Sequence, residues 1–164
     1  MKNYLKGEKV IRNDIKFLDA ENIIEYIASN YKGSRKIVEI GVGRIPQIAL
    51  GLREKLPETE IVVTDIEPNN LKQIPDCHGL KTIVDDITAP SMGVYANSTL
   101  IYSIRPPPEL HPHLLELAKK VQADLIIRLL TNEPLYIHHT MHKIINYKKT
   151  VLHLFKFRDV KENR

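Results

Sequence analysis

The chain has 164 residues, a length that suits a single domain. Its composition, 43% hydrophobic and 27% charged, can supply a buried core and excludes a disordered or collagen-like chain. Cys77 is the one cysteine, which excludes an intramolecular disulfide and a four-cysteine zinc site and favours a reducing, cytoplasmic setting. No apolar run suits a membrane span or a signal peptide, so we expect neither.

The positive charge is concentrated near the C-terminal end of the sequence. The net charge is +4, but residues 141–164 hold seven basic and two acidic residues, which leaves −1 for residues 1–140. We interpret the basic segment as a solvated strand surface followed by a tail at residues 159–164. The alternative is a phosphate-binding edge that binds nucleic acid.

Strands and helices are predicted to alternate from the start of the chain. Residues 1–13 are polar and mixed, and we expect a loose arm. Apolar residues at helical spacing predict a helix from Asp19 to Tyr31. A β-branched run then predicts a strand from Lys36 to Ile40, and a glycine turn joins it to a helix that begins near Pro46.

The same alternation continues through the second half. A helix is predicted from Glu109 to Val121, and Lys143–Tyr147 with Val151–Phe157 are predicted to form a hairpin. The continuous apolar strands are typical of a parallel sheet covered on both faces. We therefore predict one α/β domain, a Rossmann-like doubly wound, mostly parallel sheet that ends in an antiparallel hairpin. The other predicted strands are Ile61–Thr64, Leu80–Val84, Leu100–Ile104 and Leu125–Leu130.

A glycine turn and an acidic residue at neighbouring strand ends indicate a nucleoside site. Gly41 and Gly43 allow a tight turn and a close approach of a ligand to the backbone. Asp65 lies 24 residues after Gly41, at the end of the next strand. At that spacing a carboxylate commonly accepts hydrogen bonds from ribose hydroxyls. We therefore expect a ligand at the carboxyl ends of the strands, where the strand order reverses.

The details of the turn argue against a phosphate-binding site. The dinucleotide fingerprint needs a third glycine where this chain has Pro46, and no P-loop sequence occurs. A nicotinamide-dependent oxidoreductase is therefore a distant alternative. Glu39 lies two residues before Gly41, and its negative charge favours a ligand that carries an ammonium group.

The segments VEIGVG, VVTDIEP and IVDDIT together resemble the class I S-adenosylmethionine-dependent methyltransferases over residues 37–130. In more detail, VEIGVGRIPQIA, TDIEP, DDIT and LIYSIRPPPEL are similar to a small archaeal family of uncharacterised proteins with a methyltransferase-like Rossmann fold. The resemblance implies S-adenosylmethionine as the cofactor. It assigns the methionine part to Glu39, Gly41 and Gly43, the ribose to Asp65, an apolar adenine wall to Ile66, and the adenine amine to Asp86 with Asp85 as its neighbour.

The end of the fourth strand supplies the candidate catalytic residues Tyr102, Ser103 and Arg105. Its sequence is similar in position to the Asn/Asp-Pro-Pro-aromatic motif of amino-methylating enzymes but lacks the carbonyl side chain and the aromatic residue. Tyr102 is either a core residue or a catalytic hydroxyl. Arg105, with Arg128 or Arg44, holds an anionic group or forms ion pairs inside the protein. The candidate partners for such ion pairs are Glu39, Asp86, Glu109 and Glu133.

The histidines predict no metal site, because none combines with a carboxylate at metal-ligand spacing. Five of the seven histidines fall into two groups along the sequence: His111 and His113, and His138, His139 and His142.

We therefore predict an S-adenosylmethionine-binding methyltransferase whose acceptor is small or is shared with a partner. One alternative is a non-enzymatic module that binds the nucleoside cofactor, or only a partner protein, on the same fold. It is favoured by Ile45 in place of the third glycine of the first motif and by the altered fourth motif. Another is a nucleic-acid binder that uses the basic hairpin, whose affinity would fall steeply with salt. The sequence leaves the acceptor and the oligomeric state open.

Overall fold

In a computed structural model, residues 19–74, 79–130, 134–135, 137 and 140–158 are described. Seven strands form one sheet in these segments. They are β1 (Lys36–Ile40), β2 (Glu60–Asp65), β3 (Lys81–Val84), β4 (Leu100–Ile104), β5 (Asp124–Arg128), β6 (Lys143–Tyr147) and β7 (Thr150–Phe155). The predicted arm at residues 1–13 and the predicted tail at residues 159–164 lie outside the described residues.

The sheet has the order β3-β2-β1-β4-β5-β7-β6. The first five strands pair in parallel, and β7 runs antiparallel to both β5 and β6. The predicted doubly wound sheet with an antiparallel hairpin is therefore confirmed. Its strand order reverses between β1 and β4, and ligands of such sheets bind at a reversal of this kind.

Helices cover both faces of the sheet. They are α1 (residues 19–30), α2 (Gln47–Lys55), α3 (Pro68–Lys72), α4 (Met92–Tyr95) and α5 (His111–Val121), and a 3₁₀ turn (Pro108–Leu110) precedes α5. Apolar residues of α1, α2 and α3 pack on one face, whereas those of α4 and α5 pack on the other. The central strands β1, β2, β4 and β5 are covered on both sides, which explains why their sequences are nearly continuously apolar.

The element boundaries differ from the prediction in several places. The strand predicted at Val151–Phe157 is Thr150–Phe155, β2 is one residue longer than predicted at each end, and β3 begins one residue later. The helices α3 and α4 have five and four residues, too few to show a helical repeat, and they were not predicted. The helix expected from Glu109 begins at His111, because the prolines before it form the 3₁₀ turn instead. The strand expected to reach Leu130 ends at Arg128.

One ion pair fixes the first helix above the sheet. Arg128 Nη2, at the end of β5, lies 2.7 Å from Asp19 Oδ2 in α1, and both side chains are largely buried. Because α1 precedes β1 and runs back along it, its first turn lies over the carboxyl ends of the strands. This pair therefore positions α1 against the edge where a ligand is expected.

Candidate functional site

The carboxyl ends of β1, β2 and β3 are joined directly by backbone hydrogen bonds. The N–H groups of Gly41 and Val42 donate to the Thr64 carbonyl at 2.9 and 3.1 Å, and Asp85 N–H donates to the Asp65 carbonyl at 3.1 Å. The glycine turn and the acidic strand ends predicted from the sequence therefore lie along one edge of the sheet.

A cavity of about 450 Å³ opens between the ends of β1 and β4. Four of the predicted site residues line it: Glu39, Gly41, Gly43 and Arg105. Its remaining walls come from the first turn of α1, the glycine turn, the start of α2 and the end of β4. These residues are Asp19, Ala20, Ile23, Val42, Arg44, Ile45, Gln47, Ile48 and Ile104.

Glu39 is a buried carboxyl at this cavity. Its residue is 4% exposed, and its Oε2 accepts a hydrogen bond of 2.7 Å from the Tyr102 hydroxyl. Burial raises the pKa of Glu39 to about 7, and the hydrogen bond from Tyr102 opposes that rise. Burial also raises the pKa of the Tyr102 hydroxyl, which therefore donates rather than ionises. At neutral pH the Glu39 carboxyl is poised between its neutral and charged forms.

The two glycines are required by the backbone conformation of the turn. Gly41 has φ +72° and Gly43 has φ +67°, in the left-handed region that side chains disfavour. A Cβ built at either residue would meet no atom within 4 Å. The turn therefore passes close to the cavity with open space beside its backbone.

Asp65 is used largely by the protein itself. Its Oδ2 accepts from the Gly43 N–H at 2.8 Å, whereas Oδ1 accepts from the Glu67 N–H at 2.9 Å and from Asn70 Nδ2 at 3.2 Å. A carboxylate has about four acceptor positions, so about one remains, on Oδ2. Asp65 therefore holds the glycine turn in place, and its remaining capacity suits one hydrogen bond from a ligand.

The residues after β2 and β3 lie outside the cavity lining, along the same edge. Ile66 is 65% exposed, which makes it an open apolar surface beside Asp65. Asp85 Oδ2 accepts from the Tyr95 hydroxyl at 2.6 Å, and this bond positions α4. Asp86 Oδ1 accepts from the N–H and hydroxyl of Thr88, and these bonds lower the pKa of Asp86. Their roles toward a ligand stay predictions.

At the end of β4 both candidate hydroxyls are engaged within the protein. Tyr102 is fully buried, in agreement with the core alternative, and its hydroxyl contacts Glu39. Ser103 is 3% exposed and donates to the Ile40 carbonyl at 2.8 Å. Arg105, the third candidate, is exposed at the cavity. The catalytic roles stay predictions, and the geometry gives Tyr102 and Ser103 positions that hold β4 against β1.

The three arginines differ in their surroundings. Arg128 pairs with Asp19, a partner outside the set proposed from the sequence. Arg44 and Arg105 both line the cavity, and neither forms an ion pair with a residue that the structure describes. Glu133, one of the proposed partners, lies outside the described residues. The ion-pair alternative therefore applies to Arg128, and the two cavity arginines face a ligand-sized space.

Sequence reasoning missed the contribution of α1 to the cavity. The sequence predicts only a helix for this segment, with Ile23 on its apolar face and Asp19 as a possible cap, yet Asp19, Ala20 and Ile23 all line the cavity. A signal was available, because a helix that leads directly into β1 must begin near the carboxyl end of that strand.

Within the described ranges, the histidines and the basic residues of the hairpin region lie outside this cavity lining. No group of three or more histidine, cysteine, aspartate or glutamate residues there could hold a metal ion. His138 and His139 lie outside the described residues. In the basic hairpin region, Lys148 pairs with Glu25 and Lys156 lies 2.6 Å from Asp124. Lys143, Lys149 and Arg158 are exposed, and nucleic-acid binding stays a prediction.

The sheet order and the strand-end site define a methyltransferase-like Rossmann fold. An RNA methyltransferase from Salinibacter ruber, solved with S-adenosyl-L-homocysteine, is similar with a TM-score of 0.63 and 8% identity, over 86% of this chain and 94% of that one. A precorrin-6y C5,15-methyltransferase from Geobacter metallireducens has a TM-score of 0.62 and 9% identity, and the match covers 82% of this chain and 86% of that one. At these identities the likeness concerns the fold.

The chain belongs to the uncharacterised protein family UPF0146, whose model matches residues 20–156. The UPF0146 protein of Archaeoglobus fulgidus is 37% identical over 134 residues, which are 82% of this chain and 92% of the relative. The UPF0146 protein of Methanothermobacter thermautotrophicus is 40% identical over 115 residues, which are 70% of this chain and 78% of the relative. The predicted similarity to an archaeal family is thus confirmed. Among the described residues, no helix is long and apolar enough to span a bilayer.

Proposed function

We propose that this protein binds S-adenosylmethionine in the cavity between β1 and β4 and transfers its methyl group to a small acceptor. The observation that carries the proposal is the buried Glu39 carboxyl in the lining of a cavity bounded by the two glycines. A buried carboxylate stabilises a cation beside it much more than a solvated one would, because the effective dielectric constant is lower there. The ammonium group of the cofactor's methionine part is such a cation.

The residues at this edge fit the cofactor's other parts as well. The open space beside Gly41 and Gly43 leaves room for a ligand against their backbone. The remaining acceptor position of Asp65 suits a ribose hydroxyl, and the exposed side chain of Ile66 suits the face of an adenine ring. Asp86 keeps its second carboxylate oxygen for the adenine amine.

Each protein group has a distinct task in this proposal. When bound, S-adenosylmethionine supplies an electrophilic methyl carbon, which bonds to an acceptor lone pair while the electrons of the broken carbon–sulfur bond return to sulfur. Tyr102 holds the Glu39 carboxylate toward the ammonium group, and Asp65 holds the glycine turn. Arg105 and the prolines after it border the acceptor. Such transfer depends mainly on proximity and orientation, so a general base is not essential.

Calorimetric titration with S-adenosylmethionine, S-adenosylhomocysteine and NAD tests the proposal. We expect both sulfur compounds to bind and NAD to give no heat. Glu39→Gln keeps the shape of the side chain and the hydrogen bond from Tyr102 but removes the charge. We expect it to lower the affinity for S-adenosylhomocysteine at least tenfold. Glu54→Gln, on the exposed face of α2, is the matched control and should leave affinity unchanged. Absence of binding by both sulfur compounds would refute the proposal.

A non-enzymatic binding module is the second candidate function. It is favoured by the engagement of the Tyr102 and Ser103 hydroxyls within the protein, which leaves neither available to an acceptor. This alternative predicts that S-adenosylmethionine binds tightly. It also predicts that the protein does not convert S-adenosylmethionine to S-adenosylhomocysteine, even when an extract of small metabolites supplies possible acceptors. Methyl transfer from labelled S-adenosylmethionine to any component of such an extract, lost in Glu39→Gln, would exclude it.

A further inference from the structure

Two arginine side chains in the cavity lining have no acidic partner in the part of the chain that the structure describes. Arg44 follows the glycine turn, Arg105 follows β4, and both side chains are exposed. Two other arginines are used structurally: Arg53 donates to the carbonyls of Pro57 and Thr59, and Arg128 pairs with Asp19. The cavity arginines therefore keep their guanidinium groups available at the site.

The backbone of Arg105 is held in an unfavourable conformation. Its φ of +53° lies in the left-handed region, which is unfavourable for a residue with a side chain. Its N–H donates to the Arg128 carbonyl at 2.7 Å, and this bond holds the conformation. The other such residues with side chains follow a helix or form the hairpin turn: Asn97, Gln122 and Lys148. Glycine would adopt this conformation more easily, so the arginine at residue 105 motivates a hypothesis that its side chain has a function.

The charges around the cavity leave a positive excess. Asp19 is balanced by Arg128, so the uncompensated groups are Glu39 and the two arginines. The cofactor proposed above carries a sulfonium, an ammonium and a carboxylate, and therefore adds a further positive charge. A second anionic group would reduce this excess, and guanidinium groups bind carboxylate and phosphate through paired hydrogen bonds.

We infer that Arg105, with Arg44, binds a carboxylate or phosphate group of the methyl acceptor, which makes the acceptor a small anion. The inference rests on the proposed function. Arg105 immediately follows the β4 residues that border the proposed transfer point, and Arg44, which follows the glycine turn after β1, lines the same cavity.

Titration of inorganic phosphate, and separately of malonate, into the protein saturated with S-adenosylhomocysteine tests this inference. We expect at least one of the two anions to bind, and the stronger one indicates the acceptor group. Arg105→Ala should lower the affinity for that anion at least tenfold and leave the affinity for S-adenosylhomocysteine within about twofold of the parent's. Arg35→Ala is the control, because Arg35 is an exposed arginine before the amino end of β1, at the opposite edge of the sheet. It should bind the anion as the parent does.

A second variant separates binding from folding. Arg105→Gly relieves the backbone conformation, so we expect a melting temperature equal to or above that of the parent together with the same loss of anion binding. Unchanged anion binding in both Arg105 variants would overturn the inference.

The cofactor's own carboxylate is the competing occupant of the arginines. If that carboxylate is held there, Arg105→Ala lowers the affinity for S-adenosylhomocysteine at least tenfold. The affinity for 5′-methylthioadenosine, which lacks the carboxylate, then stays unchanged. That result would overturn the inference. If no sulfur nucleoside binds, the proposed function fails. Phosphate binding to the free protein that Arg105→Ala abolishes would still support the anion site.

Discussion

The charged form of Glu39 destabilises the folded protein, and the same charged form is the one that would bind an ammonium group. Burial raises its pKa from 4.5 to about 7, so the neutral form is favoured in the folded protein. The stability that this provides is fully present below the unfolded pKa and is lost as the pH rises through the folded value. Over that range the loss is on the order of 3 kcal/mol, because one pKa unit corresponds to about 1.4 kcal/mol.

Glu39→Gln should therefore remove most of this pH dependence. We expect the variant to match the parent near pH 5 and to exceed its free energy of unfolding near pH 8, since glutamine stays neutral throughout. Urea denaturation at the two pH values measures the effect, and Glu54→Gln should follow the parent at both. Parallel pH profiles for the parent and Glu39→Gln would show that Glu39 ionises as an ordinary solvated carboxyl.

The same group predicts how ligand affinity depends on pH. An ammonium ligand needs the charged carboxylate, so the affinity for S-adenosylhomocysteine should rise about tenfold per pH unit below pH 7 and level off above it. Binding near pH 6.5 should release a proton, which calorimetry in buffers of different ionisation enthalpy detects. 5′-Methylthioadenosine lacks the ammonium group and should bind independently of pH. An equal pH dependence for both ligands would exclude Glu39 as the ammonium partner.

At the scale of the elements, the attachment of α1 decides whether the cavity has a wall. The Asp19–Arg128 pair is largely buried, and removing one member leaves the other charge without its partner. We expect Asp19→Ala to reduce the free energy of unfolding by about 2 kcal/mol. Lys120→Ala, which breaks the exposed pair with Glu116, should cost at most about 0.5 kcal/mol.

The displacement of α1 should also reach the ligand. Asp19, Ala20 and Ile23 line the cavity, so Asp19→Ala should weaken S-adenosylhomocysteine, whereas Lys120→Ala should not. Calorimetry on the two variants makes the comparison. Equal affinities in both would mean that α1 is not part of the binding wall.

The elements also show where prediction from sequence succeeds. The strand ends at Asp65 and at Asp85 were predictable because an apolar run stops there and a charged residue follows. The contact between Glu39 and Tyr102 was not, since it depends on the pairing of β1 with β4 across 63 residues of sequence. Local patterns carry no information about such a pairing. For the same reason the hydrogen bond from the Gly43 N–H to Asp65 could not be predicted.

For the whole molecule, ligand binding and folding are linked. A ligand that binds only the folded chain stabilises it by about 2.7 kcal/mol at a concentration of 100 times Kd. For a domain of this size that corresponds to a rise in Tm of roughly 8 °C. S-Adenosylhomocysteine should produce such a shift in the parent and about half of it or less in Glu39→Gln at equal ligand concentration, because that variant is expected to bind at least tenfold more weakly. Differential scanning calorimetry measures both, and equal shifts would indicate binding away from Glu39.

The position of β7 has a consequence for how the chain is synthesised. It lies between β5 and β6 although it follows both in the sequence, and β5 pairs with β7 rather than with β6. A nascent chain that has reached Tyr147 but not Phe155 therefore exposes the edge of β5, with Leu125 and Ile127, to any other strand in the cell. Completion of the sheet waits for the last strand to emerge from the ribosome. Until then the growing chain is open to aggregation and to chaperones.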